Sequence, residues 1–166
     1  VSTATVSVTE FEADATTDTV TDSTQSDLTT ETNGDIVLAS TLGDIVLNEG
    51  TATGAGLAVS ADGSGAIRLE AVAGSITANA EADVRSGTGD ITLRAGQSIT
   101  LEDDVDVATA SAGTISLNAV AGALTMVGSA NVTATDSSAR LTAQGDLTVG
   151  NVTADNVSLI TSGGAI

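Results

Sequence analysis

The sequence contains no proline, cysteine, histidine, tryptophan or tyrosine, and it has one phenylalanine and one methionine. Without histidine or cysteine, the chain cannot build Ser-His or Cys-His nucleophilic sites or zinc sites with imidazole or thiolate ligands. Without cysteine it cannot form disulfides. The shortage of aromatic side chains also removes the residues that usually bury the most apolar area, so we expect a thin core of small side chains.

Pairs of carboxylates are the remaining route to catalysis. A glycosidase needs two carboxylates about 5 to 10 Å apart in a groove, usually beside aromatic rings that support the sugar. Acidic residues are plentiful in this chain, but it has no Trp or Tyr to support a sugar ring. We therefore expect that the protein is not an enzyme.

Positive charge is scarce as well. The chain has no lysine and four arginines against 22 acidic residues, which gives a formal net charge of -18. Such a field repels nucleic acids and anionic membrane surfaces, so we expect no nucleic-acid partner. A hydrophobic content of 41% nevertheless argues against a wholly disordered chain.

Long apolar runs are missing too. No segment approaches the roughly 20 apolar residues that a membrane-spanning helix requires, so we expect no membrane insertion. The sequence begins at Val1 and ends at Gly164-Ala165-Ile166, which matches the start of another repeat. We interpret the chain as a processed protein or as a segment of a longer one.

What the sequence does contain is an internal repeat. The segment from Gly65 to Ile76 recurs between Gly113 and Leu124 with small changes. The first glycine or serine of each unit serves as a marker, and the markers stand at Gly34, Gly65, Gly89, Gly113, Ser138 and Gly164. Most steps are about 24 residues long, and one longer step indicates an insertion within residues 48–56.

Within each unit, apolar and polar residues alternate, which is typical of strands with one buried face. Three short strands per unit of about 24 residues predict an all-β fold, a right-handed parallel β-helix (β-solenoid). We expect about five coils over residues 34–166, with glycines at the corners because glycine accepts positive φ. The predicted inward positions are Ile67, Leu69, Ile76, Ile91, Leu93, Ile99, Leu101, Val105, Val107, Ile115, Leu117, Leu124, Met126, Leu147 and Val149.

Residues 1–33 differ from the rest in composition. Nearly half of them are Ser or Thr, seven are acidic, and only the stretch from Ala4 to Thr9 alternates like a strand. Three interpretations stay open: a divergent first coil with a long polar excursion, an extended arm that pairs with another subunit, and a disordered linker.

The repeat carries the pattern G-[DSTA]-[IL]-[TVRS]-[LAMV], which occurs at Gly34, Gly43, Gly65, Gly74, Gly89, Gly113, Gly122 and Gly145. In this pattern, which covers about residues 34–166, the chain resembles the filamentous haemagglutinin-type large exoproteins and related bacterial surface adhesins. The resemblance implies a right-handed β-helix that is exported to the cell surface, often for adhesion, biofilm formation or cell contact. Such repeats are specific for a fold and much less so for a function.

A cluster of carboxylates is the candidate metal site. Glu102, Asp103, Asp104 and Asp106 lie close together at a predicted corner. Carboxylate oxygens suit Ca²⁺, so these four residues are candidate calcium ligands. A solvated acidic corner without a metal is the alternative, because the chain lacks both the EF-hand loop and the GGxGxD calcium repeat.

We therefore expect a structural or adhesive segment of a secreted or cell-surface protein that forms or extends a rod. The alternative is a calcium-dependent or glycan-binding module that takes a host or cell-surface glycan. Uncapped β-helix ends invite strand pairing, so we expect further coils of the same chain or head-to-tail stacking of copies. The residues predicted to take part in this assembly are Val6, Val8 and Ile166.

Overall fold

A computed structural model describes residues 7–11, 17–21, 27–49 and 56–166 of the chain. Within these ranges the chain is all-β and contains no helix, so no described segment is a helix that could cross a membrane. Strands β1 (Ser7–Phe11) and β2 (Thr17–Thr21) pair antiparallel as a two-stranded sheet. All other strands pair parallel to one another, in a 10-stranded and a 5-stranded sheet.

The parallel strands form three rows, and successive members of each row come from successive repeats. The first row contains β4 (Ile36–Ser40), β7 (Ile67–Ala71), β10 (Ile91–Ala95) and β13 (Ile115–Ala119). The second row contains β5 (Ile45–Leu47), β8 (Ile76–Ala78), β11 (Ile99–Leu101), β14 (Leu124–Met126) and β16 (Leu147–Thr148). The third row contains β3 (Leu28–Thr30), β6 (Leu57–Ala61), β9 (Asp83–Ser86) and β12 (Asp106–Thr109).

Two longer strands join the third row to the first. Strand β15 (Asn131–Ala143) pairs with β12 through its first residues and with β13 through its last residues. Strand β17 (Asn151–Thr161) pairs with β15 along both parts, with a shift in register between Ala134 and Ser138. The corner that separates these two rows in earlier repeats is therefore replaced by an irregularity within a continuous strand.

The pairing register follows the sequence repeat closely. Ile91 lies between Ile67 and Ile115, its equivalents in the preceding and the following repeat. The first step is longer along the chain, because Ile36 pairs with Ile67 and Ile45 pairs with Ile76. The third row returns to the common spacing from β6 to β9. The extra residues thus lie between β5 and β6, as the spacing predicts, and residues 50–55 of this insertion are outside the described ranges.

The stacked region begins and ends at positions that differ from those that the sequence markers indicate. Strand β3 pairs parallel with β6, so the stacked strands begin at Leu28, before residue 34. The last repeat is short. Leu159 pairs with Leu141, and fewer residues separate these two leucines than separate Leu141 from its other partner, Leu117. Gly164 consequently lies against Gly145, a glycine from the middle of the previous unit. Reading Gly164 as the first glycine of a new unit was wrong, because sequence spacing alone cannot reveal a shortened repeat.

Alternation along the strands builds one continuous core of small and medium side chains. In β10 and β13 the residues read buried, half-buried, buried, half-buried, buried. Of the fifteen predicted inward residues, Val149 is partly buried and packs against the core, while the other fourteen are buried. Identical or similar side chains stack from repeat to repeat, for example Leu69 on Leu93 on Leu117. Among the described core residues, β-branched and aliphatic side chains fill the interior and none is aromatic.

Glycine has a different role from the predicted one at the repeat markers. The described glycines with positive φ are Gly56, Gly63 and Gly128, none of which starts a unit. At Gly89 and Gly113, an added Cβ would instead collide with the carbonyl of the equivalent glycine in the preceding repeat. Close approach of stacked backbones, not positive φ, therefore requires glycine at these markers.

Candidate functional site

The predicted acidic corner lies between β11 and β12, where the chain turns from the second row to the third. Asp103 is exposed, and its Oδ1 accepts hydrogen bonds from the Ser129 backbone N–H at 2.8 Å and the Ser129 hydroxyl at 2.7 Å. Hydrogen bonding from the Ser129 backbone, and then from its hydroxyl, lowers the pKa of Asp103. This carboxylate therefore links its own corner to the corner of the next repeat.

Of the other three acidic residues, Asp104 contacts the same Ser129, and Asp106 contacts Arg85 and Asn131. Asp104 has a positive φ of 57°, and its carboxylate accepts a hydrogen bond from the Ser129 hydroxyl. Asp106 begins β12, where it bonds with Arg85 at 2.9 Å and with the Asn131 side-chain amide at 2.9 Å. Glu102 is half-buried at the end of β11.

These contacts bear directly on the calcium prediction. Across the ranges that the structure describes, no group of three or more acidic side chains is placed to hold a metal ion. Glu102, Asp103, Asp104 and Asp106 are therefore not brought together as a ligand set. Instead, Ser129 and Asn131 of the next repeat donate to one carboxylate oxygen each of Asp103, Asp104 and Asp106.

Acidic residues elsewhere have the same structural role as Asp103. In the G-D-I and G-D-L segments, the Asp side chain accepts the backbone N–H of the equivalent residue one repeat later. The bonds run from Ala66 to Asp35 at 2.8 Å, Ser75 to Asp44 at 2.7 Å, Thr114 to Asp90 at 2.7 Å, and Ala165 to Asp146 at 2.9 Å. These five of the 22 acidic residues thus satisfy corner N–H groups that no strand pairs.

A second polar feature runs along the outer face of the third row. Asp83, Asp106, Asn131 and Asn151 occupy neighbouring positions in successive repeats and form a side-chain ladder. The Asp106 backbone N–H donates to Asp83 at 2.7 Å, and the Asn151 amide donates to Asn131 at 3.0 Å. Each rung is therefore hydrogen-bonded to the next.

Arg85 holds the acidic end of this ladder together. Its guanidinium donates to Asp83 at 2.6 Å and to Asp106 at 2.9 Å. Asp83 is only 4% exposed, and burial raises the pKa of its carboxyl despite the hydrogen bond from the Asp106 backbone. The Arg85 Nε is buried and has no hydrogen-bond partner within the described residues.

Two adjoining cavities form a shallow groove over this row, and Arg85 and Asp106 line both of them. Their volumes are about 340 and 350 Å³. The first is also lined by the acidic residues Glu49, Glu81, Asp83 and Asp104. The second is also lined by the hydroxyl-bearing residues Ser86, Thr109, Thr133 and Thr135. One half of the groove is therefore acidic and the other half carries neutral hydroxyls.

Sequence reasoning missed Arg85 and Asp83 as members of this groove. The signal was present in the repeat itself, because Asp83-Val84-Arg85 aligns with Asp106-Val107-Ala108 and with Asn131-Val132-Thr133. Aligning the third strands of all repeats would have shown a polar column on the outer face. The four carboxylates between Glu102 and Asp106 do not by themselves indicate this polar column.

The residues predicted for assembly are in different situations. Val6 lies outside the described residues, and Val8 lies in β1, where it pairs with Val20. The alternating stretch predicted between Ala4 and Thr9 thus contributes its last residues to β1, which pairs with β2 along one side. Ile166 is 69% exposed.

The two ends of the stack differ in exposure. At the N-terminal end, the inward residues Ile36 and Ile45 are only 7% and 5% exposed. At the other end, the inward residue Val157 is 46% exposed. Inward residues are partly exposed at both ends, however, since Leu28 and Leu38 at the first end and Leu159 at the other are only partly buried.

Comparisons with known proteins yield no relative. No family model, no curated protein and no solved structure matches the chain.

Proposed function

We propose that the chain is a right-handed parallel β-helix with three strands per coil, and that it serves as a structural or adhesive segment of an exported surface protein. The observation that carries this proposal is the parallel pairing of equivalent strands in all three rows, which keeps its register in the first two rows and shifts at Leu57/Val59 and at Ala134/Ser138 in the strands of the third. Rows that advance by one strand per repeat build a rod, because each repeat contacts only its neighbours.

The dimensions and chemistry of the rod support a structural role. Stacked strands lie about 4.8 Å apart, so six layers span roughly 25 Å between the first and the last. The absence of histidine and cysteine removes the commonest catalytic groups. Export to the cell surface rests on the resemblance of the G-[DSTA]-[IL] repeats to bacterial surface exoproteins.

Duplicating one coil tests the architecture. A second copy of residues 89–112 inserted directly after residue 112 should fold and lengthen the molecule by about 4.8 Å. Circular dichroism and small-angle X-ray scattering would measure the fold and the length. The matched control inserts the same segment in scrambled order, and this variant should lose stability. Equal behaviour of both insertions would refute the stacked-coil architecture.

Adhesion needs its own measurement. Beads coated with the chain should be retained on cultured cells or on bacterial biofilm more strongly than beads coated with a scrambled-sequence chain. The coil-duplication variant should adhere equally well if the chain acts as an extendable rod. Retention no greater than that of the scrambled chain would refute the adhesive role.

Glycan binding is a second candidate, favoured by the groove over the third row. Its lining offers the Arg85 guanidinium, the Asn131 amide and the Thr133 hydroxyl side by side, which are groups that hydrogen-bond sugar hydroxyls. A glycan array with the intact chain and with Thr133→Val would test this candidate. Reproducible hits that the Thr133→Val variant loses would support it, and an array without hits would refute it.

A further inference from the structure

One asparagine of the chain is followed directly by glycine, at Asn33-Gly34, where the chain turns from the third row to the first. The side-chain carbonyl of an asparagine is open to attack by the backbone nitrogen of the next residue, and a glycine leaves that nitrogen unhindered. The other asparagines precede alanine, valine or glutamate, whose Cβ crowds the attacking nitrogen. Asn33 is therefore the asparagine of this chain that is chemically most prone to such a reaction.

The reaction needs no partner other than water. The Gly34 nitrogen gives up its proton and bonds to Cγ of Asn33, while the bond from Cγ to Nδ2 breaks and Nδ2 leaves with that proton as ammonia. Water then hydrolyses the cyclic imide. Attack of water at Cγ gives aspartate, whereas attack at the main-chain carbonyl carbon gives isoaspartate, in which the main chain runs through Cγ.

The folded corner of residues 31–34 keeps the two reacting groups apart. Thr32 and Asn33 have φ values of 57° and 64°, and the Gly34 backbone N–H donates to the Glu31 carbonyl at 3.3 Å. Two successive residues at positive φ with this hydrogen bond are typical of a type I′ turn. In that turn type, ψ of the second central residue is about 0°, so the Gly34 nitrogen points away from the Asn33 Cβ and does not reach Cγ.

The next repeat fixes the Asn33 side chain as well. Its Oδ1 accepts the Ser64 backbone N–H at 2.9 Å. Gly63 packs so closely against this amide that an added Cβ would collide with Oδ1. Attack by Gly34 therefore requires the 31–34 corner to open and to break its contacts with the next repeat.

Several features make this corner easier to open than the strands beside it. Thr32 is β-branched, and β-branched residues are strained at positive φ. The hydrogen bond from Gly34 to Glu31 is longer than the usual range of about 2.7 to 3.2 Å. Asn33 is also exposed, so water reaches the amide as soon as the turn opens.

We propose that Asn33 is a self-modification site that the 31–34 corner controls. While the corner is closed, Asn33 persists, and when the corner opens, Gly34 attacks and Asn33 is converted irreversibly to aspartate or isoaspartate. The modification rate thus records how often the first corner of the stack opens. The reaction is a property of this corner and does not depend on the proposed adhesive role.

The two products have different effects on the stack. Aspartate at position 33 keeps an oxygen for the Ser64 N–H, in the way that Asp35 accepts the N–H of Ala66. Isoaspartate adds one carbon to the main chain shortly before β4, so β4 can no longer keep both the turn and its register with β7. Conversion to isoaspartate would therefore release β4 from the stack.

Incubation of the 166-residue chain in mildly alkaline buffer, with and without urea, tests the proposal. Anion exchange detects the added negative charge, and peptide mapping by mass spectrometry locates aspartate and isoaspartate. We expect Asn33 to react at least about tenfold more slowly in the folded chain than in urea, which corresponds to an opening free energy of about 1.4 kcal/mol or more. The other asparagines should stay unmodified over the same period.

Two glycine variants form a matched pair. Gly63→Ala places a Cβ against the Asn33 Oδ1 and should push the amide out of the corner, so Asn33 should react about tenfold faster in the folded variant. Gly128→Ala is the control, because Gly128 has nearly the same φ and its added Cβ would collide with the Asp103 Oδ1 at a different corner. This control should leave the rate at Asn33 within about twofold of the parent rate.

Thr32→Gly tests the same control in the opposite direction and without a destabilising clash. Glycine accepts positive φ, so the closed corner should become more stable. Asn33 in the folded Thr32→Gly chain should then react at least about threefold more slowly than in the parent chain. Its rate in urea should equal that of the parent, because the corner is absent there.

Each alternative gives a distinct result. Equal rates with and without urea would overturn the control by the corner, and an Asn33 that stays unmodified in urea would overturn the site itself. Equal acceleration by Gly63→Ala and Gly128→Ala, or an unchanged rate in folded Thr32→Gly, would show that the 31–34 corner does not control the reaction. The coil-duplication and adhesion measurements are independent of Asn33, so failure here is distinguishable from failure of the proposed function.

Discussion

Leu117→Ala is the sharpest test of how the stack is held together. Leu117 is fully buried in β13, directly between Leu93 and Leu141, which are fully buried as well. Truncation removes three aliphatic carbon groups at about 0.8 kcal/mol each and leaves a void between two layers. Hydrogen-bonded strands on both sides fix the layer spacing, so the void cannot close easily. We therefore expect a loss in the upper part of the usual range of about 2 to 5 kcal/mol.

Urea denaturation followed by circular dichroism measures this loss, and two further variants serve as controls. Ser116→Ala changes the adjacent half-buried outward residue, so it should alter the free energy of unfolding by less than about 0.5 kcal/mol. Leu159→Ala, in the last layer where Leu159 is only partly buried, should cost clearly less than Leu117→Ala. If Leu117→Ala and Ser116→Ala had equal effects, the assigned inward and outward faces would be incorrect.

Three further predictions concern the corners and the groove. In thermal melts, Gly89→Ala should lower the free energy of unfolding by about 1 to 3 kcal/mol, because its Cβ would meet a backbone carbonyl. Gly43→Ala should be nearly neutral in the same melts, because its Cβ would only touch a side-chain oxygen at 3.4 Å. The pKa of Asp103 is lower in the folded than in the unfolded state, so Asp103 stabilises the fold above the unfolded pKa and this stabilisation disappears as pH falls through the folded pKa. The free energy of unfolding should therefore fall less steeply with acid in Asp103→Asn than in the parent chain. Identical acid titrations would contradict the corner bond. Arg85→Ala should lower the free energy of unfolding by on the order of 1 to 3 kcal/mol, mainly because the buried Asp83 carboxylate loses its guanidinium partner. This loss should be smaller in an Asp83→Asn background, and an unchanged loss in that double-mutant cycle would show that the two side chains are not coupled.

Alternation of apolar and polar residues was enough to predict the strands and their inward faces. In a strand, successive side chains point to opposite faces, so the pattern around Ile91 and Leu93 is a purely local signal. The repeat then predicts which strands become neighbours, and the pairing of Ile91 with Ile67 and Ile115 follows from it. The positions of the core residues were therefore readable from one sequence.

The site was less predictable because it depends on relations between repeats. Asp103 and Asp104, adjacent in sequence, were candidate calcium ligands with a solvated acidic corner as the alternative, and stacking brings Ser129 of the next repeat to both. The function of Gly89 was likewise misassigned, since close backbone approach is a property of two layers together. Arg85 becomes noticeable only when β9 and β12 are placed side by side. Non-local register decides these features, and local patterns do not encode it directly.

The corner aspartates give the stack a direction. Asp35, Asp90 and Asp146 each accept an N–H from the repeat that follows in the chain, so their acceptors are in place before that repeat arrives. A completed layer therefore presents carboxylate acceptors to the backbone N–H groups of the layer that follows it in the chain. Layers added in the N-to-C direction meet a prepared surface, whereas layers added in reverse must wait for their acceptors. These corner carboxylates, a small part of the 22 acidic residues, would in this way favour ordered growth from the N-terminal side over random collapse of near-identical repeats.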